Sequence, residues 1–173
     1  LIGPDGAVLN HHRKLVPTFY EKLVWAAGDA RGLRVVPTAV GRIGMLICGE
    51  NTNPLSRYAL MAEGEQVHIS TYPPIWPTRP PAESGAYDIR RAIEIRAGAH
   101  AFEAKVFNIV SSNFLDKATK RAVAKDDKAL MDIMERSPRS VSMILGPDGA
   151  IVGDVLSEEE GIVYADIDTS LEV

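Results

Sequence analysis

A single cysteine, Cys48, stands in 173 residues. No intramolecular disulfide can form, and the expectation is a reducing, cytoplasmic setting. Long apolar runs are missing too. None approaches the about 18 residues of a membrane-crossing helix, and the N-terminus does not read as a signal, so no membrane partner is expected. Neither charge sign dominates: 19 Lys and Arg stand against 23 Asp and Glu, interspersed, for a net charge of −4. That balance gives no footprint for nucleic acid or an anionic membrane surface. Histidine is scarce. His11 and His12 are adjacent, and His68 and His100 stand alone in other elements, so the spacing supports no zinc site, and no metal or cofactor is expected. What remains, 46% hydrophobic and 24% charged residues, is enough to build one globular domain over residues 1–173.

The chain is organised around Arg42-Ile43-Gly44-Met45-Leu46-Ile47-Cys48-Gly49-Glu50-Asn51. Ile43 to Ile47 reads as a short buried strand. Cys48 ends it, and from Leu55 an apolar periodicity of helical spacing begins. A thiol between a buried strand and a helix start is where an α/β protein presents a nucleophile, because amide N–H groups there favour a thiolate or an oxyanion. The plain alternative is a core cysteine capping a strand. Glu50, two residues on, reads as a capping or ion-pair residue and not as a base.

Two similar segments flank the domain, LIGPDGAVL at Leu1 to Leu9 and ILGPDGAIV at Ile144 to Val152. In each, Pro-Asp-Gly between apolar runs predicts a hairpin, which is scaffold and not chemistry. The chain opens inside the first hairpin and stops abruptly at Leu171-Glu172-Val173, so both ends read as cut. Between them, Leu33 to Thr38 and Ala39 to Ile47 predict a strand pair turning at Gly41-Arg42. Gln66 to Ser70 and Val106 to Val110 predict further strands, and Gly161 to Ile167 a last one. Tyr87 to Lys105 and Asp126 to Arg136 carry helical periodicity. Thr71 to Pro81 holds five prolines with Tyr72 and Trp76; such a rigid loop either lines a pocket or covers the core. Strands and helices alternate loosely, which predicts an α/β class with a mixed sheet.

Upstream, His12-Arg13-Lys14-Leu15-Val16-Pro17-Thr18 places Lys14 at a strand end before a proline-bearing turn, and Glu21 to Trp25 follows. Together with Gly41-Arg42-Ile43-Gly44, Cys48-Gly49-Glu50-Asn51 and Pro54-Leu55, this set resembles the carbon–nitrogen hydrolase, or nitrilase, superfamily, closest to its nitrilase and cyanide-degrading branch. Order, spacing and residue type agree at several separated places, and the two hairpins and the Ala101-Phe102-Glu103-Ala104-Lys105 helix end extend the resemblance along the chain.

The resemblance implies an α-β-β-α sandwich and a Glu–Lys–Cys triad. By position Cys48 is then the nucleophile, Lys14 the triad lysine and Glu21 a second, assisting glutamate, with the Gly49 backbone N–H as an oxyanion donor. The family's first glutamate, its general base, would lie ahead of Leu1. The implied substrate is a small nitrile, hydrolysed to acid and ammonia; an amidase or carbamoyl-amide hydrolase, or an inactive assembly fragment, is the alternative. Further expectations are a homo-oligomer built through the outer helices, an N-terminal segment that supplies the base, and no activity from this chain without it. Gly49 departs from the Trp that many nitrilases place beside the nucleophile.

Overall fold

The computed structural model describes residues 1–77, 79–80 and 82–170. Thr78 and Pro81 of the proline-rich loop, and the predicted chain end at 171–173, lie outside the described residues.

Five strands form one mixed sheet in the order β1-β2-β3-β4-β5: Val36–Thr38, Gly41–Ile47, Val67–Tyr72, Phe107–Ser112 and Met143–Leu145. The central pairs β2–β3 and β3–β4 are parallel, while β1 and β5 pair antiparallel at the edges. Four helices complete the α/β class: α1 Pro54–Ala62, α2 Ile89–Ala104, α3 Lys117–Ala124 and α4 Lys128–Arg136. Their starts are legible in local chemistry. Asn53 accepts from the Leu55 and Ser56 amides ahead of α1, with Pro54 at its first position. Asp88, Asp116 and Asp127 cap the other three in the same way.

Side-chain alternation divides the sheet into two faces. Gly44, Leu46, His68, Ser70, Tyr72, Asn108 and Val110 are buried on the helix side. There Tyr72, Val110, Met143 and Leu145 join Ile89, Ile93, Ala97 and Ala101 of α2 in the main core. On the opposite face Met45, Ile69, Ile109 and Ile144 are paired across four strands in one row. The first three of these are half-buried.

The sequence and the structure differ at five places. The sequence places Lys14 at a strand end, but residues 9–14 form no strand, and α3 is not expected from the sequence. The β1–β2 turn falls at Ala39-Val40 and not at Gly41-Arg42, because Gly41, at φ +123°, already pairs with Thr38. Each Pro-Asp-Gly hairpin is reduced to a short bridge, Ile2 with Val8 and Leu145 with Ile151. Gly161 to Ile167 forms no strand. Its alternating pattern is there, but Ile162 and Tyr164 are 72% and 77% exposed, and no neighbouring strand among the described residues offers a ladder.

Candidate active site

β2 ends at Ile47, and the chain turns at once into a 3₁₀ turn, Cys48–Thr52. Cys48 takes φ +53°, a left-handed conformation that costs a non-glycine residue about 1–2 kcal/mol. Phe19, at φ +47°, is strained in the same way, and both residues line a cavity of about 470 Å³ with Glu21, Tyr72 and Trp76. Such strain persists where surrounding bonds over-determine it. Of the four non-glycine residues at positive φ among the described residues, these two share one cavity, while Lys105 and Lys125 cap helix ends. Trp76 meets the Phe19 ring edge-on at 5.2 Å and also packs against the main core. The proline-rich loop therefore lines the pocket and covers the core at once.

Lys14 is buried, 5% exposed. Its Nζ donates to Glu21 Oε2 at 2.6 Å and to Thr18 Oγ1 at 2.9 Å. Glu21 Oε2 also accepts from the Thr18 amide and hydroxyl. Burial works against charge on Glu21, yet the Lys14 hydrogen bond and the Thr18 donors outweigh it and hold the carboxyl below its usual range. Two of the three Nζ protons are thus placed and one is left over. The Lys14 segment is held from behind by close backbone contact: the Gly28 amide donates to Lys14 O, and a Cβ at Gly28 would lie 2.2 Å from Arg13 O. Only glycine permits that approach.

The Cys48 thiol makes no hydrogen bond to Lys14. Burial is the largest influence on it and pushes it above its usual value; the Lys14 charge, then the Gly49 N–H and the Arg96 charge, act in the opposite direction without overcoming it. The amides expected to favour a thiolate are thus outweighed by burial. Burial thereby favours the thiol over the thiolate. Gly49 itself is exposed, and a Cβ there would meet nothing within 4 Å.

Glu50 is 6% exposed. It accepts from His12 Nε2 at 3.0 and 3.1 Å, the Leu15 amide at 2.5 Å and the Ile47 amide at 2.8 Å. Burial opposes its charge, but the His12 hydrogen bond and the two amides pull the carboxyl below its ordinary value. With both oxygens engaged, it ties the His12 to Leu15 segment to Ile47, in keeping with the capping or ion-pair reading.

His68 and His100 do not stand alone. Their rings lie 4.2 Å apart, and both bond Glu65: His68 Nδ1 to Oε1 at 2.6 Å, His100 Nε2 to Oε2 at 2.8 Å. Sequence reasoning missed this cluster because its members come from a turn, a strand and a helix. One signal was present: Gly44 interrupts an apolar strand, and a Cβ there would sit 1.9 Å from Glu65 Oε1. The three side chains bring ligand-type atoms within 4.8 Å of one another. Their contacts are nonetheless hydrogen-bond distances; ligands about 2.1 Å from a tetrahedral zinc would stand about 3.4 Å apart. Burial opposes charge on Glu65, and the two imidazole hydrogen bonds overcome it and lower the carboxyl.

A strained cysteine at a strand end and a glutamate paired with a buried lysine line one cavity of an α/β fold. Residues 1–172 match the family described as carbon-nitrogen hydrolase, and the chain belongs to that family. It is 35% identical over 171 residues to Nitrilase 3 of an unknown prokaryotic organism, covering 99% of this chain and 49% of that protein. It is 37% identical over 177 residues to a cyanide hydratase of Botryotinia fuckeliana, covering 97% and 46%. Among solved structures, a carbon-nitrogen hydrolase from Helicobacter pylori shares the fold with a TM-score of 0.75 and 20% identity, over 98% of this chain and 55% of that one. The chain spans about half the length of the curated relatives it matches.

Proposed function

We propose that the protein containing this chain hydrolyses a nitrile to the carboxylic acid and ammonia through a covalent intermediate on Cys48. The observation that carries the reading is the Cys48 thiol in its cavity, where the Lys14 charge and the Gly49 N–H favour its thiolate. A nitrile carbon is a weak electrophile, and a thiolate is the most nucleophilic side chain available to attack it. Sulfur bonds to the carbon, the nitrogen gains negative charge, and a base-derived proton converts it to a thioimidate. Water then adds, ammonia leaves with a further proton, and a second water releases the acid from the acyl-enzyme. The spare Nζ proton of Lys14 and the Gly49 N–H are the donors proposed for the charge on nitrogen and then oxygen.

The base is proposed to be a glutamate of the whole protein outside these 173 residues. Glu21 is held ionised by Lys14 and Thr18, and Glu50 by three donors, so neither is poised to carry protons near neutrality. The apolar row Met45, Ile69, Ile109 is the face on which the second sheet of the sandwich would pack. Leu55, Tyr58, Ile95 and Phe102 are exposed on α1 and α2, which the Arg57–Glu103 pair joins at 3.0 Å. We propose that copies of the protein associate through this face; a monomeric mass in solution scattering of the whole protein would refute it. A free thiol nucleophile also fits a reducing, cytoplasmic setting.

The test of the chemistry is Cys48→Ala in the whole protein. Turnover of simple aliphatic and aromatic nitriles should vanish while circular dichroism stays unchanged, and retained activity would remove Cys48 from the mechanism. Faster turnover of the matching amide than of the nitrile would instead identify an amidase.

A further inference from the structure

The Glu65 cluster connects to the nucleophile. Asn51 is 1% exposed, and its Nδ2 lies 3.2 Å from both Leu46 O and Cys48 O. Two carbonyl acceptors require the NH₂ end of the amide there, so Oδ1 must be the atom facing His68 Nε2 at 2.9 Å. An amide oxygen only accepts, and His68 Nε2 therefore carries a proton. On the ring's other side Nδ1 stands 2.6 Å from Glu65 Oε1. A neutral His68 beside an ionised Glu65 would set a nitrogen lone pair against a carboxylate oxygen, where neither side chain is exposed at all. One more proton must lie between them. His100 Nε2 donates to the second Glu65 oxygen, which leaves its unpartnered Nδ1 as the lone-pair nitrogen. The arrangement is then neutral as a whole, as a buried site demands.

The far end of this chain of bonds is the peptide between Cys48 and Gly49. Its carbonyl accepts from Asn51, and its N–H is among the influences that stabilise the Cys48 thiolate. A peptide unit is planar, so fixing the oxygen fixes the direction of the N–H. Without that bond the left-handed Cys48 could relax and swing the donor away.

We propose that Glu65, His68 and Asn51 are positioning residues for Cys48, forming a relay that keeps one proton between Glu65 and His68 and aims the Gly49 N–H at the reacting centre. The proposal rests on the reading of Cys48 as nucleophile. Its substrate-side consequence is confined to the charge that develops during attack, so it acts on kcat and not on ground-state binding.

In the whole protein, Asn51→Leu should lower kcat about 100-fold with KM within about threefold, in the range seen when an oxyanion donor is lost. Glu65→Leu should fall similarly. Glu65→Gln should recover most of the loss, because its amide can donate to a neutral His68 Nδ1 and accept from His100. In the unsubstituted protein, nitrogen NMR of labelled histidine should find His68 Nε2 protonated between about pH 6 and 9, past the ordinary histidine range; this reading needs no variant to fold. A bare His68 Nε2, an unimpaired Asn51→Leu, or a Glu65→Gln as damaged as Glu65→Leu would each overturn the relay. Failure of the parent reading is separate: there Cys48→Ala itself would stay active.

Discussion

Glu50→Gln is the most informative single change, because it removes one charge and almost no volume. The carboxylate accepts from Leu15 N through Oε1, from Ile47 N through Oε2, and from His12 Nε2 through both. An amide offers one accepting oxygen. Whichever backbone N–H keeps it, the other faces an NH₂ group and loses its partner. A hydrogen bond to a charged group contributes about 1.5–3 kcal/mol, and a stranded donor costs about 1–3 kcal/mol more. Leu15 and Ile47 are half-buried, so water relieves part of that, and the expected loss is about 3 kcal/mol in equilibrium urea unfolding. That is a large share of the about 5–15 kcal/mol that holds a domain together. Activity should fall as well. Leu15 adjoins Lys14 and Ile47 adjoins Cys48, so the brace sets their spacing, and misplacement by about 1 Å can reduce rate about 100-fold. The pH dependence has a defined sign. Glu50 titrates below its usual 4.5 in the folded protein, so its stabilisation is complete above that value and is lost as pH falls through the lower, folded value. Glu50→Gln should flatten that acid limb. A stability loss under about 1 kcal/mol, with the acid limb unchanged, would show that the brace carries no weight.

Gly44→Ala would drive its Cβ to 1.9 Å from Glu65 Oε1 in the sheet interior; a loss of about 3 kcal/mol is expected in urea unfolding, and a stable variant would show that the carboxylate lies elsewhere. Cys48→Gly should be more stable than Cys48→Ala by about 1 kcal/mol in thermal melts, because glycine adopts φ +53° without strain; equal melting temperatures would remove the strained elbow. Lys14→Arg should lose nearly as much kcat as Lys14→Ala, since a planar fork cannot replace a buried ammonium held 2.6 Å from Glu21 and 2.9 Å from Thr18; a near-native Arg variant would mean that only the charge matters.

What the sequence disclosed was whatever depends on near neighbours. Lys14, Thr18 and Glu21 lie within eight residues, and one turn brings them together. The strand before Cys48 and the helical periodicity from Leu55 follow from local patterns of the same kind. The state of the thiol was not legible. Helix-start amides argue for a thiolate from sequence, but burial by chain segments far away decides the outcome. Glu65 shows the same limit from the other side. In Glu63-Gly64-Glu65-Gln66 it reads as a solvated turn, whereas the fold places it without exposure between two histidines, one of them 35 residues on. Gly161 to Ile167 failed for the complementary reason. Its alternation describes a chain able to join a sheet, and supplies no neighbour to join.

Glu50 and Asn51 show how the strained Cys48 is kept in place. They are consecutive residues of one 3₁₀ turn, and their side chains run to different parts of the molecule. Glu50 reaches the His12 to Leu15 segment and so ties the turn to Lys14. Asn51 reaches His68 and, through it, Glu65 and His100 in the core. Each also returns to the backbone at or just ahead of Cys48, Glu50 at the Ile47 amide and Asn51 at the Leu46 and Cys48 carbonyls. The turn is therefore fixed on both sides, and Cys48 cannot leave its left-handed conformation without breaking bonds in one network or the other. The neutral Asn51 bond to Cys48 O contributes on the order of 1 kcal/mol, which would only balance the about 1–2 kcal/mol of strain, while each bond to the Glu50 carboxylate adds about 1.5–3 kcal/mol. Two independent tethers hold the strain with margin, and the thiol can stay half-buried at the cavity wall while the strand behind it remains packed.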